Sequence, residues 1–147
     1  MIVSKLQKSE LHDLSKLLRE ADLPADDLDK LDEVYVARVD EGIVGYFALE
    51  LYDTDALLRS VVITKGSRGH GFGNSMVPFM LKVAQNKEVQ TIYLLTTTAE
   101  AFFEKVGFKA IDRKEAPESI SSTREFSQLC PDTAVLMKFE LDGKISI

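Results

Sequence analysis

The sequence predicts a single domain of mixed α/β class, its sheet antiparallel in the N-terminal half and parallel across a crossover in the middle. Three observations carry this. Val34 to Val39 and Ile43 to Leu51 are β-branched and aromatic runs on either side of Asp40-Glu41-Gly42, a hairpin turn signal. Val77, Met80, Leu81 and Ala84 recur at helical spacing between two strand-like segments, Leu57 to Thr64 and Thr91 to Leu95, and a strand, a helix and a strand in that order imply a parallel pair. At 147 residues the chain can bury one sizeable core but not two ordinary ones, so residues 1–147 are expected to form one domain.

The remaining elements follow in order. Leu11, Leu14, Leu18 and Ala21 recur at helical spacing after Ser9, a good N-cap, and predict a helix over Ser9 to Ala21 that stops before Pro24. Asp53-Thr54-Asp55 turns the second strand into the third, and three consecutive strands joined by short turns are antiparallel. Pro78 falls inside the middle helix, where its ring demands a kink or a late helix start. Ala99, Phe102, Phe103 and Val106 form a further helix closed by Gly107. Pro117 opens a last one, with Ile120, Thr123 and Phe126 behind it, and Val135 to Leu141 supplies a final alternating strand.

Composition narrows the function. A hydrophobic fraction of 45% beside a charged fraction of 29% is that of a globular domain, not of a disordered or coiled-coil chain. A net charge of -6 argues against a nucleic-acid surface, which needs excess Lys and Arg to displace counterions. One cysteine, Cys130, permits no internal disulfide, and with two histidines it cannot assemble an ordinary structural zinc site, so a reducing cytoplasm and no metal are expected. The first eight residues lack the apolar middle of a signal peptide and no run approaches the length of a bilayer span, so neither export nor membrane embedding is expected.

Charge is unevenly placed. No acidic residue occurs between Asp55 and Glu88, where an even scatter would put about five, yet Arg59, Lys65, Arg68, Lys82 and Lys87 all lie there. A bound polyanion requires such surroundings. Within the interval runs Ile63-Thr64-Lys65-Gly66-Ser67-Arg68-Gly69-His70-Gly71-Phe72-Gly73-Asn74, with four glycines in eight residues. Glycine lets successive N–H groups turn inward at a helix start, where unpaired donors and the positive dipole end hold phosphate oxygens. Two familiar phosphate loops fail here: a dinucleotide fingerprint needs glycine at Asn74, and a Walker A loop needs Lys then Ser or Thr where Phe72 and Gly73 stand.

What remains, Arg-Gly-x-Gly-x-Gly after a Val-Val-Ile strand end, resembles the pyrophosphate loop of the GNAT superfamily of acetyl-CoA-dependent N-acetyltransferases. A second signature of that superfamily, Asn-x-x-Ala-x-x-x-Tyr-x-x-x-Gly-Phe, is met in three of its five places by Thr96, Ala99, Phe103, Gly107 and Phe108. The strand order is also that of the GNAT fold. Finer detail is similar to the arsenic-resistance-associated N-acetyltransferase branch, itself similar to amino-acid N-acetyltransferases of the glutamate type. The segments that carry it are Leu57 to Val61, Arg68 to Gly73, Phe102 to Phe108, and Ala116 to Ile120 through Thr123 to Phe126 and on to Leu129-Cys130-Pro131.

The resemblance implies acetyl-CoA as acyl donor, with its pyrophosphate on Arg68, Gly69, His70, Gly71, Phe72, Gly73 and Asn74, and its pantetheine arm running as an extra strand beside Val61, Val62 and Ile63. A backbone N–H of that strand then polarises the thioester carbonyl, a contact of the kind worth about 3 kcal/mol at the transition state. It also implies a small-molecule amine acceptor attacking directly in a ternary complex, no nucleic acid or membrane partner, and room for a homodimer. Phe103, a cofactor contact, stands where the family often has a proton-donating tyrosine, and Ala56, Leu57 and Leu58 stand where relatives often have an acid. Glu50 is then the candidate base, acting through a water. Arg59, mid-strand among apolar residues, either meets an internal carboxylate or grips a substrate anion, and Arg124 is the second such cation.

Other features read as plain structure: Asp26, Asp27, Asp29, Asp32 and Glu33 as a solvated face, Cys130 as a small buried hydrophobe, His12 as surface. The leading expectation is acetyl transfer to an acid-bearing, amino-acid-like amine. The alternatives are a polyamine acceptor drawn by the acidic cluster, and a catalytically silent acyl-CoA-binding module suggested by Phe103.

Overall fold

The structure, a computed structural model, describes residues 1–123, 126–127 and 133–141. Among the described residues seven strands, β1 (Ile2–Lys5), β2 (Glu33–Val39), β3 (Gly42–Tyr52), β4 (Asp55–Ile63), β5 (Thr91–Thr96), β6 (Lys109–Ile111) and β7 (Val135–Glu140), form one mixed sheet in the order β1-β2-β3-β4-β5-β7-β6. Contacts divide the chain into two compact units, one of Met1–Glu50 with Arg59–Met80, the other of Leu51–Leu58 with the described residues from Leu81 onward.

In the first unit, β1 (Ile2–Lys5) pairs antiparallel with β2 (Glu33–Val39), which forms the expected hairpin with β3 (Gly42–Tyr52). Asp40 makes the turn at φ 56°, a conformation that Asp tolerates better than most residues. Successive side chains point to opposite faces, and in the central residues of β2 and β3 both faces are buried. Val34 and Val36 join the cluster built on Leu14 and Leu18 of α1 (Leu11–Glu20), whereas Tyr35 stacks on Phe47, ring centroids 5.2 Å apart, through the register Tyr35↔Phe47. The first helix differs from expectation at its start. Lys8–Glu10 form a 3-10 turn in which the Gln7 N–H donates to the Glu10 carboxylate at 3.0 Å, so Gln7 and Glu10, not Ser9, close the N-terminus. The strand that follows β3, β4, is Asp55–Ile63, and α2, Phe72–Asn86, continues through the sequence position of Pro78, which lies exposed; the helix does not start late.

In the second unit, Asp55, Ala56 and Leu57 of β4 pair in parallel with Thr91, Ile92 and Tyr93 of β5 (Thr91–Thr96), the expected crossover. β5 is antiparallel to β7 (Val135–Glu140), which also carries the short β6 (Lys109–Ile111). β1 and β6 have no counterpart in the sequence reading. Both are short edge strands whose residues show little alternation, and edges of this kind are defined by the neighbour they pair with. The helix α4 (Glu118–Ser121) starts after Pro117 as expected, and its Ile120 meets Leu57, Tyr93 and Leu136 in the core of this unit.

The helix α3 (Glu100–Lys105) ends at Gly107, whose φ of 114° excludes most side chains. A Cβ there would also stand 2.7 Å from Phe139 Cε2. Both constraints act on one residue, so Gly107→Ala is expected to destabilise the protein by about 2–4 kcal/mol. Urea denaturation of the variant checks this; a midpoint equal to the native one would contradict the account.

Candidate active site

The glycine-rich loop lies between β4 and α2, and both its ends are tied down. The Thr64 N–H donates to Val44 O at 3.0 Å, its hydroxyl lies 3.1 Å from Ile43 O, and Lys65–Ser67 make a 3-10 turn. Arg68 folds back so that its Nε–H donates to Ile63 O at 3.1 Å. Gly69 and Gly71 follow at φ 83° and 78°. The first hydrogen bond of α2 runs from the Ser75 N–H to Gly71 O at 3.1 Å, and among the described residues no protein acceptor takes the N–H groups of Gly69 to Asn74. No atom lies within 4 Å of where a Cβ would sit on Gly66, Gly69 or Gly71. The first turn of α2 holds no acid. Six consecutive donors, a positive dipole end and open space above the glycines are chemistry suited to phosphate oxygens. His70 and Phe72 flank it with ring centroids 6.0 Å apart.

Further back in β4, Arg59 and Glu50 come together. Arg59 Nη1 donates to Asp27 Oδ2 and to Glu50 Oε2, each at 2.7 Å, and Nη2 donates to Asp27 Oδ1 at 2.6 Å. The Arg59 side chain has 0% exposure, against 6% for Asp27 and 13% for Glu50. Of the two alternatives for this arginine, the internal ion pair is the one observed. The fork meets Asp27 with both nitrogens, the arrangement in which guanidinium and carboxylate match best. Glu50 is thereby held at a fixed orientation near the end of β3, half-buried.

Asp27 escaped the sequence reading, which placed the whole run Asp26 to Glu33 on a solvated face. That reading fails at two positions. Asp27 is buried on Arg59, and Glu33 is buried with its carboxylate accepting from Tyr35 Oη at 2.6 Å and from Lys5 Nζ at 3.2 Å. Burial first, then the bond and charge of Glu33, push the Tyr35 hydroxyl well above the usual phenol range. The available signal was the flanking apolar pair Ala25 and Leu28, both buried. Ser60, next to Arg59, was missed as well: it has φ 59° inside a strand, and its hydroxyl is buried with no hydrogen-bond partner among the described residues.

In the second unit, Phe103 is buried edge-on between Phe102 and Phe108, at centroid distances of 5.1 and 5.5 Å. Thr96 Oγ1 accepts from the Ala99 N–H at 3.0 Å, so the threonine that replaces the motif's asparagine caps the turn into α3. Arg124 and Cys130 lie outside the described residues. Among the described residues no group of three or more His, Cys, Asp or Glu could hold a metal ion, and no helix is long and apolar enough to cross a membrane.

Comparison with known proteins bears on this geometry. Residues 30–110 match the family model of the acetyltransferase (GNAT) domain. Over 71 residues the chain is 34% identical to an amino-acid acetyltransferase of Mycobacterium tuberculosis (strain ATCC 25618 / H37Rv), a match covering 48% of this chain and 40% of that protein. Its fold is similar to that of Rv2747 from Mycobacterium tuberculosis in complex with CoA and NLQ, with a TM-score of 0.79 and 22% identity over 96% of this chain and 99% of that one. It is also similar to N-acetylglutamate synthase from Neisseria gonorrhoeae complexed with coenzyme A and N-acetyl-glutamate, with a TM-score of 0.80 and 14% identity over 95% of this chain and 35% of that one. The match thus spans less than half the curated relative and about a third of the synthase.

The Arg59 cluster has a testable energetic signature. Arg59→Ala removes the countercharge shared by two carboxylates and is expected to cost about 3–5 kcal/mol. Glu50→Gln is expected to cost much less, because Asp27 keeps its two-pronged contact. Chemical denaturation of the two variants measures both, and equal losses would refute the assignment of Asp27 as the main partner.

Proposed function

Because this chain belongs to the GNAT family of acetyltransferases, we propose that it transfers the acetyl group of acetyl-CoA to the primary amine of a small, acid-bearing, amino-acid-like molecule. The observation that carries the donor half is the row of unengaged N–H groups from Gly69 to Asn74 at the start of α2. Arg68, Gly69, His70, Gly71, Phe72, Gly73 and Asn74 bind the pyrophosphate in this reading, and Val61, Val62 and Ile63 offer their strand to the pantetheine arm. When bound, acetyl-CoA supplies an activated thioester. The chain's own residues hold it, orient it and take the proton of the attacking amine.

Glu50 is the base in this proposal. Its carboxylate keeps some exposure and is anchored by Arg59, so a water can bridge it to the amine without the side chain having to be ordered on binding. Arg59 is then a positioning residue, and the role of gripping a substrate anion passes to Arg124. The acid-bearing acceptor is supported by the activities named for the similar proteins, an amino-acid acetyltransferase and N-acetylglutamate synthase. It is supported also by the engagement of Asp27 and Glu33, which removes two carboxylates from the cluster that would have drawn a polyamine. Within the family we place the chain in the arsenic-resistance-associated branch, working in the cytoplasm as a single domain.

Two experiments test this. In a thiol-release assay with acetyl-CoA, acidic amino acids and phosphinate or arsinate amino acids are expected to exceed polyamines at least tenfold in kcat/KM; the reverse order would overturn the acceptor assignment. By calorimetry, acetyl-CoA is expected to bind about a hundredfold more tightly than S-acetylpantetheine, the equivalent of two charge-assisted hydrogen bonds. Gly71→Val, which cannot adopt φ 78° without strain, is expected to lose that difference. Equal binding of the two compounds by the native protein would overturn the loop assignment.

A further inference from the structure

Gly45 of β3 is a glycine for want of space. Its φ is not left-handed, so close neighbours rather than backbone conformation exclude a side chain. A Cβ there would stand 2.6 Å from Met76 Sδ, 2.9 Å from Val62 O and 3.1 Å from Ile63 Cδ1. Neither of the two nearest atoms can simply turn aside. Val62 O belongs to the backbone of β4, and Met76 has 0% exposure, with close-packed neighbours around it. Met76 lies one turn into α2, just beyond the N–H row, whereas Val62 and Ile63 belong to the strand end proposed for the pantetheine arm. Gly45 therefore stands against both sides of the loop at once. The two residues before it hold the loop's entrance. The register steps from Ala37↔Gly45 to Arg38↔Ile43, which leaves Val44 as the extra residue of a bulge, and Thr64 is fastened to the carbonyls of Ile43 and Val44. Three consecutive residues of β3 thus fix where the loop leaves β4 and how near α2 stands when the chain returns.

We infer that Gly45 is a positioning residue for the acyl donor: it sets the gap between the N–H row that takes the pyrophosphate and the strand that takes the pantetheine arm. This rests on the donor placement proposed above. Acetyl-CoA joins its pyrophosphate to its thioester by a chain of fixed bond count, so contacts to the phosphates help to hold the thioester on β4 only when α2 stands at the matching distance. A methyl group at position 45 opens that distance. To bring Met76 Sδ from 2.6 Å to ordinary van der Waals contact takes a movement of about 1 Å, and a buried side chain passes it to its helix. The N–H groups of the first turn travel with the helix. A hydrogen bond of about 2.9 Å lengthened by that much falls outside useful range.

The test measures by calorimetry the preference for acetyl-CoA over S-acetylpantetheine, which lacks the phosphates. Two variants are compared with the native protein: Gly45→Ala, and Gly45→Ala combined with Met76→Val, which removes the sulfur that the new methyl meets. In Gly45→Ala the native preference of about a hundredfold is expected to fall to about tenfold or less, with the affinity for S-acetylpantetheine within about threefold of native. The double variant is expected to recover a preference above about thirtyfold. A purely structural role for Gly45 gives no such split, because lost packing lowers the melting temperature without telling the two compounds apart. A folded Gly45→Ala that keeps the native preference overturns the inference alone, whatever its melting temperature. A double variant that regains nothing over the single one, in folding or in preference, also overturns it, since Met76 is then not what the methyl displaces. A native protein that binds the two compounds equally overturns the loop assignment, and the inference falls with it.

Discussion

A guanidinium with no exposed surface has to be neutralised where it stands, and Arg59 is neutralised by partners from two other parts of the chain. Asp27 comes from the connection between α1 and β2, and Glu50 from the end of β3. That connection carries a single short 3-10 turn, Leu28–Lys30, and little regular hydrogen bonding of its own. Ala25 and Leu28 pack into the α1 core on either side of Asp27, so apolar burial and the ion pair hold the same few residues. Taking either away asks the other to support a buried charge alone, which buried ion pairs tolerate badly.

In the proposed reading the glycine loop solves a different electrostatic problem in an acidic protein. A chain of net charge -6 repels a polyanion at long range, so attraction has to be local. The backbone provides it. N–H dipoles and the end of a fifteen-residue helix carry partial positive charge that pH cannot remove, and the acid-free stretch keeps competing carboxylates out of reach. Arg68, though exposed, donates to Ile63 O immediately before the glycines.

How much of this could be read in advance depended on whether a signal was local. The hairpin around Asp40-Glu41-Gly42, the crossover from β4 through α2 to β5, and the loop itself are written in consecutive residues, and each was legible. β1 and β6 were not, because four and three residues at a sheet edge acquire strand character only from their neighbours. Arg59 was legible as a residue in need of a partner, yet the partner lay thirty-two positions away, inside a run of acids whose pattern pointed to solvent. Ser60 looked ordinary, since serine occurs in strands without comment; only its backbone angle and the isolation of its hydroxyl set it apart.

The tethering of the loop at both ends bears on what association costs. Thr64 is fastened to β3, Arg68 to Ile63, and Ser75 to Gly71, so in the proposed reading the segment that would meet phosphate is already in its working shape. Flexible glycine-rich segments usually surrender conformational entropy when they close on a ligand. Here folding has met that cost beforehand. Preorganisation of this kind lets the free energy of each phosphate contact register as affinity, and it leaves the strand that leads away from the loop undisturbed when the site fills.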